Sequence, residues 1–291
     1  MNRLSTYFHQ LSEYVRAPYA TRLFTLLIYA WFLAEALVLW PYRTLLWGED
    51  AVLLHSPYSG SLLNNFFYQL VYVPSRFYII FILHVVSSAI SLFEWRWSFI
   101  PRTMAWCTAL ILYYSAPQAF NSGILFMALM AFYSIFVYTK STQPWRIVIT
   151  NLARLTMIIQ VVAIYLISSF FKLSGKHWVE GDALYYALNI DVYSSPFWQR
   201  LSHSGVLMEI VTYVALAYQV LFPLLLLLKK QRSWILLLGV GFHFMIGVVM
   251  HLWDFAFAMM FCYALFMKEE HAKFLMPFRT LRKSPMDKSV A

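Results

Sequence analysis

Residues 150–171 read TNLARLTMIIQVVAIYLISSFF, and residues 172–182 continue as KLSGKHWVEGD. The first stretch is long and apolar enough to cross the hydrocarbon core of a bilayer, which takes roughly 20 residues as a helix. The second places Lys172, Lys176, His177, Glu180 and Asp182 directly behind it. An abrupt change from apolar to charged is what a helix leaving the membrane looks like. Seven more segments have the apolar character: 20–40, 76–94, 102–117, 122–139, 206–228, 233–251 and 253–267. Segments 102–117 and 253–267 are short, and read either as tilted neighbours or as re-entrant pieces.

Composition supports the same fold class. Hydrophobic residues make up 61% of the 291 and charged residues 12%, with a mean hydropathy of +0.62. Soluble domains carry about twice that charge, so lipid is the expected solvent for much of the surface. The prediction is an all-α, polytopic transmembrane helical bundle of about eight helices. Its transmembrane domain covers 19–267, with a short amphipathic segment at 1–18 and a basic tail at 268–291. Residues 1–18 hold no apolar run long enough for a signal-peptide core. No internal repeat and no Gly/Ser/Pro-rich linker marks a second domain.

The net charge of +9 does not imply nucleic acid. With both termini cytoplasmic, 17 of the 22 Lys and Arg fall on the inner side, among them Arg22, Arg102, Lys140 and Lys229. This is the bias expected of membrane-face loops, and anionic headgroups suffice as partners. Of the two long outer connections, 41–75 contains SLLNNFFYQLVYV, an expected interfacial helix. The other, 172–205, is expected to break into short helices at Gly175, Gly181 and Pro196. Trp31, Trp40, Trp47, Trp178, Trp198 and Trp253 read as aromatic belts, and Pro223 as a kink. Cys107 and Cys262 read as small buried hydrophobes, and no metal-ligand spacing occurs. P-loop, GxSxG, HExxH and Rossmann fingerprints are missing from the sequence, which argues against the corresponding chemistries.

Polar residues inside spans each need a partner or a purpose. These are Glu35, His84, Gln160, Tyr165, Glu209, Gln219 and His243. At about 100° per residue, Tyr165, Ser168, Ser169 and Lys172 share roughly a third of one helix circumference, while Gln160 lies off that arc. An amine in poorly hydrated surroundings can serve as a general base. The alternative is a snorkelling Lys172 above two packing serines. Gly239, His243, Gly247 and His251 recur at strides of four. Close helix packing explains them, and so does a pocket around His243 rimmed by His251 and Asp254. The eight residues between the histidines, ~12 Å along the axis, argue against a zinc pair.

Gln160-x4-Tyr165-Leu166-x5-Lys172-Leu173-x4-Trp178-Val179-Glu180-Gly181 resembles the signature of the HTTM family, membrane proteins related to the vitamin K-dependent gamma-carboxylase. Ala183-Leu184-Tyr185-Tyr186, Gln219-x3-Pro223 and Gly241-Phe242-His243 fit as well. Within the family the resemblance points to the SdpB-type proteins, encoded with secreted antimicrobial peptides in bacteria. The resemblance implies an outward-opening pocket for a reduced quinone, in the bacterial cytoplasmic membrane. Lys172 matches the lysine that deprotonates it, with His243 and Tyr165 assisting. Gln160, Ser168, Trp178, Gly181 and His251 are the residues expected to hold the ligand.

The sequence also departs from the carboxylase. Lys172 and Trp178 stand one residue further apart, and Asn121-Ser122-Gly123 replaces a functional histidine. Gln219 occupies a position where relatives often have glutamate, and the substrate-recruiting soluble domain has no counterpart. These departures argue against glutamate carboxylation. Two functional readings therefore stand: a quinol-dependent membrane enzyme, and a non-enzymatic partner in the export, maturation or immunity of a small secreted peptide. A transporter would show broken helices at matching places in two halves, and none is seen.

Overall fold

The computed structural model describes residues 11–47, 51 and 62–276. Most of the expected amphipathic segment, the tail beyond 276 and much of the first long connection lie outside the described residues. Everything regular among the described residues is helical. In chain order, α1 is Pro18–Leu39, α2 Leu62–Val71, α3 Pro74–Ser91, α4 Phe99–Ser115 and α5 Ser122–Ser134. Next come α6, Pro144–Ser174, and three short helices: α7 Lys176–Glu180, α8 Ala183–Leu188 and α9 Pro196–Ser202. Finally α10 is Gly205–Leu225, α11 Arg232–Met250, α12 Trp253–Cys262 and α13 Glu269–Leu275.

All eight apolar stretches are thus helical. Five helices are long and apolar enough to cross a membrane: Pro18–Leu46, which adds two tight turns to α1, then α3, α6, α10 and α11. The apolar helices Ser122–Ser134 and Trp253–Phe266 are shorter, and α4 has 17 residues. At 31 residues, α6 is about 46 Å long, well beyond a ~30 Å hydrocarbon core.

Local chemistry sets the boundaries. Proline opens α1 and α3, where its missing N–H has no intrahelical partner to lose. The Asn121 side chain accepts from the Gly123 N–H at 2.9 Å and caps α5. Gly175 follows α6, Gly181 follows α7 and Pro196 opens α9, as the sequence predicts. The interfacial helix expected in 41–75 is α2.

The chain forms two compact units. The first contains residues 1–154 and 269–291. Its core is Phe24, Ile28 and Phe32 of α1, Ala105 and Ala109 of α4, and Met127, Met130 and Ala131 of α5, all fully buried. Alanine and methionine at these positions let helices approach closely. Two of the polar groups expected inside spans find partners in this unit: His84 Nδ1 with Thr108 Oγ1 at 3.0 Å, and the Glu35 carboxylate with the Tyr113 hydroxyl. Trp31 and Trp47, expected at interfaces, are core residues instead. Trp47 is 3% exposed and donates to Ser115 Oγ at 2.9 Å. Helix α13 returns to α1, where the Glu269 carboxylate accepts from the Tyr19 and Ala20 N–H groups.

The second unit, residues 155–268, holds the latter part of α6 and α7 to α12. Apolar side chains line its exterior, including Leu166, Ile167, Phe170 and Phe171 of α6. Isolated exposed apolar residues are ordinary, but rows of them along spanning-length helices suit a lipid surrounding.

Candidate functional site around Lys172 and Tyr165

Four residues after Tyr165 comes Ser169, and three after that Lys172. This spacing puts all three on one face of α6 near its C-terminal end. Tyr165 is 1% exposed, and its ring stacks on Phe222 of α10 with centroids 4.3 Å apart. Its hydroxyl lies 2.8 Å from His243 Nε2 and 2.6 Å from the Tyr263 hydroxyl. Tyr263 in turn lies 3.1 Å from the Tyr218 hydroxyl. A chain of three phenols, buried at Tyr165 and Tyr263 and half-buried at Tyr218, therefore ends on an imidazole.

Glycine makes the chain possible. A Cβ at Gly239, one turn before His243, would lie 2.5 Å from the Tyr263 hydroxyl. One turn after His243, a Cβ at Gly247 would lie 2.6 Å from the Trp253 ring. Gly239, His243 and Gly247 thus form a buried packing stripe on α11. The predicted fourth member, His251, does not join it. The helix ends at Met250, and His251 is exposed and left-handed, with φ of 54°.

Lys172 does not snorkel freely. Its amine donates to the Gln219 side-chain carbonyl oxygen and stands 4.5 Å from the centre of the Trp178 ring. Cation–π contact of this kind holds an ammonium at about 0.5–2 kcal/mol depending on hydration. Trp178 reaches that position because α7 turns back at Gly175. Gly181 has φ of 83°, and a Cβ there would lie 2.8 Å from Glu209 Cγ. It closes α7 against α10, where the Tyr213 hydroxyl donates to the Val179 carbonyl at 2.8 Å.

The structure therefore brings together Lys172, Trp178, Tyr165 and His243 of the predicted residues. Ser168 is half-buried beside Lys172 and Gln160 half-buried further down α6, and neither joins the phenol chain. Nothing local in the sequence marks Tyr218 or Tyr263, and the partner of Gln219, Lys172, lies 47 residues away in the chain. Three polar atoms in the unit are buried without a hydrogen-bond partner among the described residues: His243 Nδ1 and Ser169 Oγ, near Tyr165, and Ser194 Oγ in the connection between α8 and α9. Natural interiors leave few such atoms, and they commonly meet water or a ligand. Beyond Trp178, the side-chain ligand atoms of His177, Glu180 and Asp182 lie within 4.8 Å of one another. They are largely exposed, and Glu180 also faces Lys176 at 3.8 Å.

No curated protein and no solved structure matches the chain. A family model does: the HTTM domain, over residues 123–271. That interval starts at the capped N-terminus of α5 and contains α6 to α12, with every residue of the Lys172–Tyr165 cluster. Since the match covers more than half of a chain that carries five helices of spanning length, this protein belongs to the HTTM family and is a multi-pass membrane protein.

Proposed function

We propose that this HTTM protein binds a quinol-like lipid beside Lys172 and uses that lysine as a general base, in the maturation of a secreted antimicrobial peptide by an SdpB-type system. One observation carries the reading. The Lys172 amine is held by a neutral amide and an aromatic face, not by a carboxylate. An amine so held can take up and release a proton without breaking an ion pair.

The surrounding residues suit an apolar ligand bearing oxygen. His243 Nδ1 and Ser169 Oγ are free to hydrogen-bond it, and rings such as Phe222 supply apolar wall. Bound there, a quinol supplies an acidic hydroxyl. Lys172 accepts its proton, and Gln219 and Trp178 keep the amine in place. Tyr165 fixes the His243 ring by its bond to Nε2, so that Nδ1 is aimed rather than rotating. Mass spectrometry of lipids extracted from purified protein is expected to find a quinone with the wild type and much less with His243→Leu. Wild-type protein free of any quinone, prepared from quinone-containing membranes, would count against this reading.

The charge bias supports placing both termini in the cytoplasm and the 172–205 connection outside; the SdpB-type resemblance is what favours a bacterial cytoplasmic membrane. A single cysteine at Asp182, in a background with Cys107 and Cys262 replaced by serine, is then expected to react with an impermeant thiol reagent in intact cells. Protection of that cysteine until the membrane is opened would reverse the orientation.

A non-enzymatic peptide partner is favoured by a different observation. The α8–α9 region presents Tyr186, Val192 and Phe197 at 50%, 80% and 65% exposure, outside the spanning helices. Aromatic and branched side chains in such a place suit a short amphipathic peptide. On this reading the peptide co-purifies, and Lys172→Ala leaves its production intact.

A further inference from the structure

We propose that the first unit holds an oxyanion site at the start of α4, built from Arg102, Arg22 and Ser98, with a phosphate group as its ligand. Its three ligand residues precede the matched family region, whose Ser134 and Val137 carbonyls help to hold Arg102, and the site is independent of the reading above.

Arg102 is fully buried, and its Nη1 donates to the Ser134 carbonyl at 3.0 Å and to the Val137 carbonyl. Its Nε and Nη2 have no hydrogen-bond partner among the described residues. These two atoms carry parallel N–H bonds on one edge of the guanidinium, the fork that meets two oxygens of a single phosphate or carboxylate. Arg22 is 5% exposed, and close enough for its charge to act on that of Arg102. Its Nη2 donates to the Leu92 carbonyl, its Nε faces Glu94 at 3.8 Å, and its Nη1 has no partner. Ser98 is the N-cap residue of α4 and fully buried, yet its hydroxyl caps no N–H and is also without a partner. Four residues separate it from Arg102, so both lie on the same side of the first turn.

Packing alone does not account for this arrangement. The carbonyls of Leu92, Ser134 and Val137 lie at the C-terminal ends of α3 and α5, where a cation is favoured. They occupy one edge of each guanidinium and leave the other edges bare. Among the described residues Glu94 is the carboxylate that faces the cluster, and its oxygens already accept from Thr139 Oγ1 at 2.6 Å and from the Lys140 N–H at 3.1 Å. Two buried cations thus share one committed anion. Each unsatisfied buried donor costs about 1–3 kcal/mol, and here three belong to Ser98 and Arg102 in the first turn of α4, whose N-terminus favours negative charge, and the fourth to Arg22, whose charge acts on Arg102. A phosphate has enough oxygens to meet the Arg102 fork, Arg22 Nη1 and the Ser98 hydroxyl together. Its source is either free phosphate or a lipid headgroup.

Thermal unfolding of the full-length protein in phosphate-free detergent tests the site through tryptophan fluorescence. One arm compares inorganic phosphate with chloride at equal ionic strength. The other compares micelles containing phosphatidylglycerol with micelles containing a phosphate-free glycolipid. The proposal expects a saturable rise of about 3 °C or more in at least one arm, and the responding arm identifies the source. Arg102→Lys keeps the charge but not the fork, and is expected to lose the rise. Ser98→Ala is expected to weaken the response about fivefold in concentration. No rise in either arm, or an equal rise in a folded Arg102→Lys protein, overturns the proposal. If Arg102→Lys does not fold, an unchanged response in Ser98→Ala overturns it.

Discussion

Lys172→Gln is expected to slow the oxidation of bound quinol to quinone by dissolved oxygen, which takes up the two electrons and two protons, by about 10²–10⁴-fold, the usual contribution of a positioned general base. Glutamine keeps most of the length and a donor toward Gln219, so packing changes little while the basic nitrogen disappears. Lys176→Gln is the matched control. Lys176 pairs with Glu180 at 3.8 Å on the exposed side of α7, and exposed pairs contribute about 0–1 kcal/mol. Its rate should equal that of the wild type. If both variants turn over quinol normally, the base lies elsewhere, and the peptide-partner reading gains.

The second large effect is on stability. Gly239→Ala adds one methyl where the nearest atoms, including the Tyr263 hydroxyl at 2.5 Å and Cε2 at 2.7 Å, belong to buried rings. Tyr263 has no room to withdraw, because it is packed against Phe222 and bonded to Tyr165, and the Tyr218 hydroxyl closes the other side. Overpacking of this kind costs about 2–3 kcal/mol, which corresponds to a melting temperature lower by about 5–10 °C. Gly241→Ala, two residues on, meets nothing within 4 Å. There the better helix propensity of alanine should leave stability equal or raised by up to ~1 kcal/mol. Equal melting temperatures for the two variants would show that Gly239 is not a contact point.

The helices were legible because lipid demands long apolar runs, and the breaks at Gly175, Gly181 and Pro196 because those residues act locally. Lys172 and Tyr165 were legible for a related reason: one helix face can be drawn from spacing alone. Tyr263 was not, since its bond to Tyr165 joins residues 98 apart in the chain, and one tyrosine among 20 carries no local mark of that pairing. Trp31 and Trp47 were assigned to interfaces because hydropathy gives the depth of a residue without saying which side of the helix faces protein. His251 followed the stride of its stripe, but the helix stops one residue before it. The same limit separates Ser169, which is buried, from Ser168, which shares its arc and is half-buried.

The phenol chain has one more property. Its hydroxyl protons can run from Tyr218 through Tyr263 and Tyr165 toward His243, or all in the reverse direction, and either order keeps all three bonds. The first order leaves the imidazole proton on Nδ1, and the second places it on Nε2. Reversal therefore changes the free nitrogen of His243 from donor to acceptor without moving a heavy atom. The same buried ring can greet a carbonyl in one tautomer and a hydroxyl in the other.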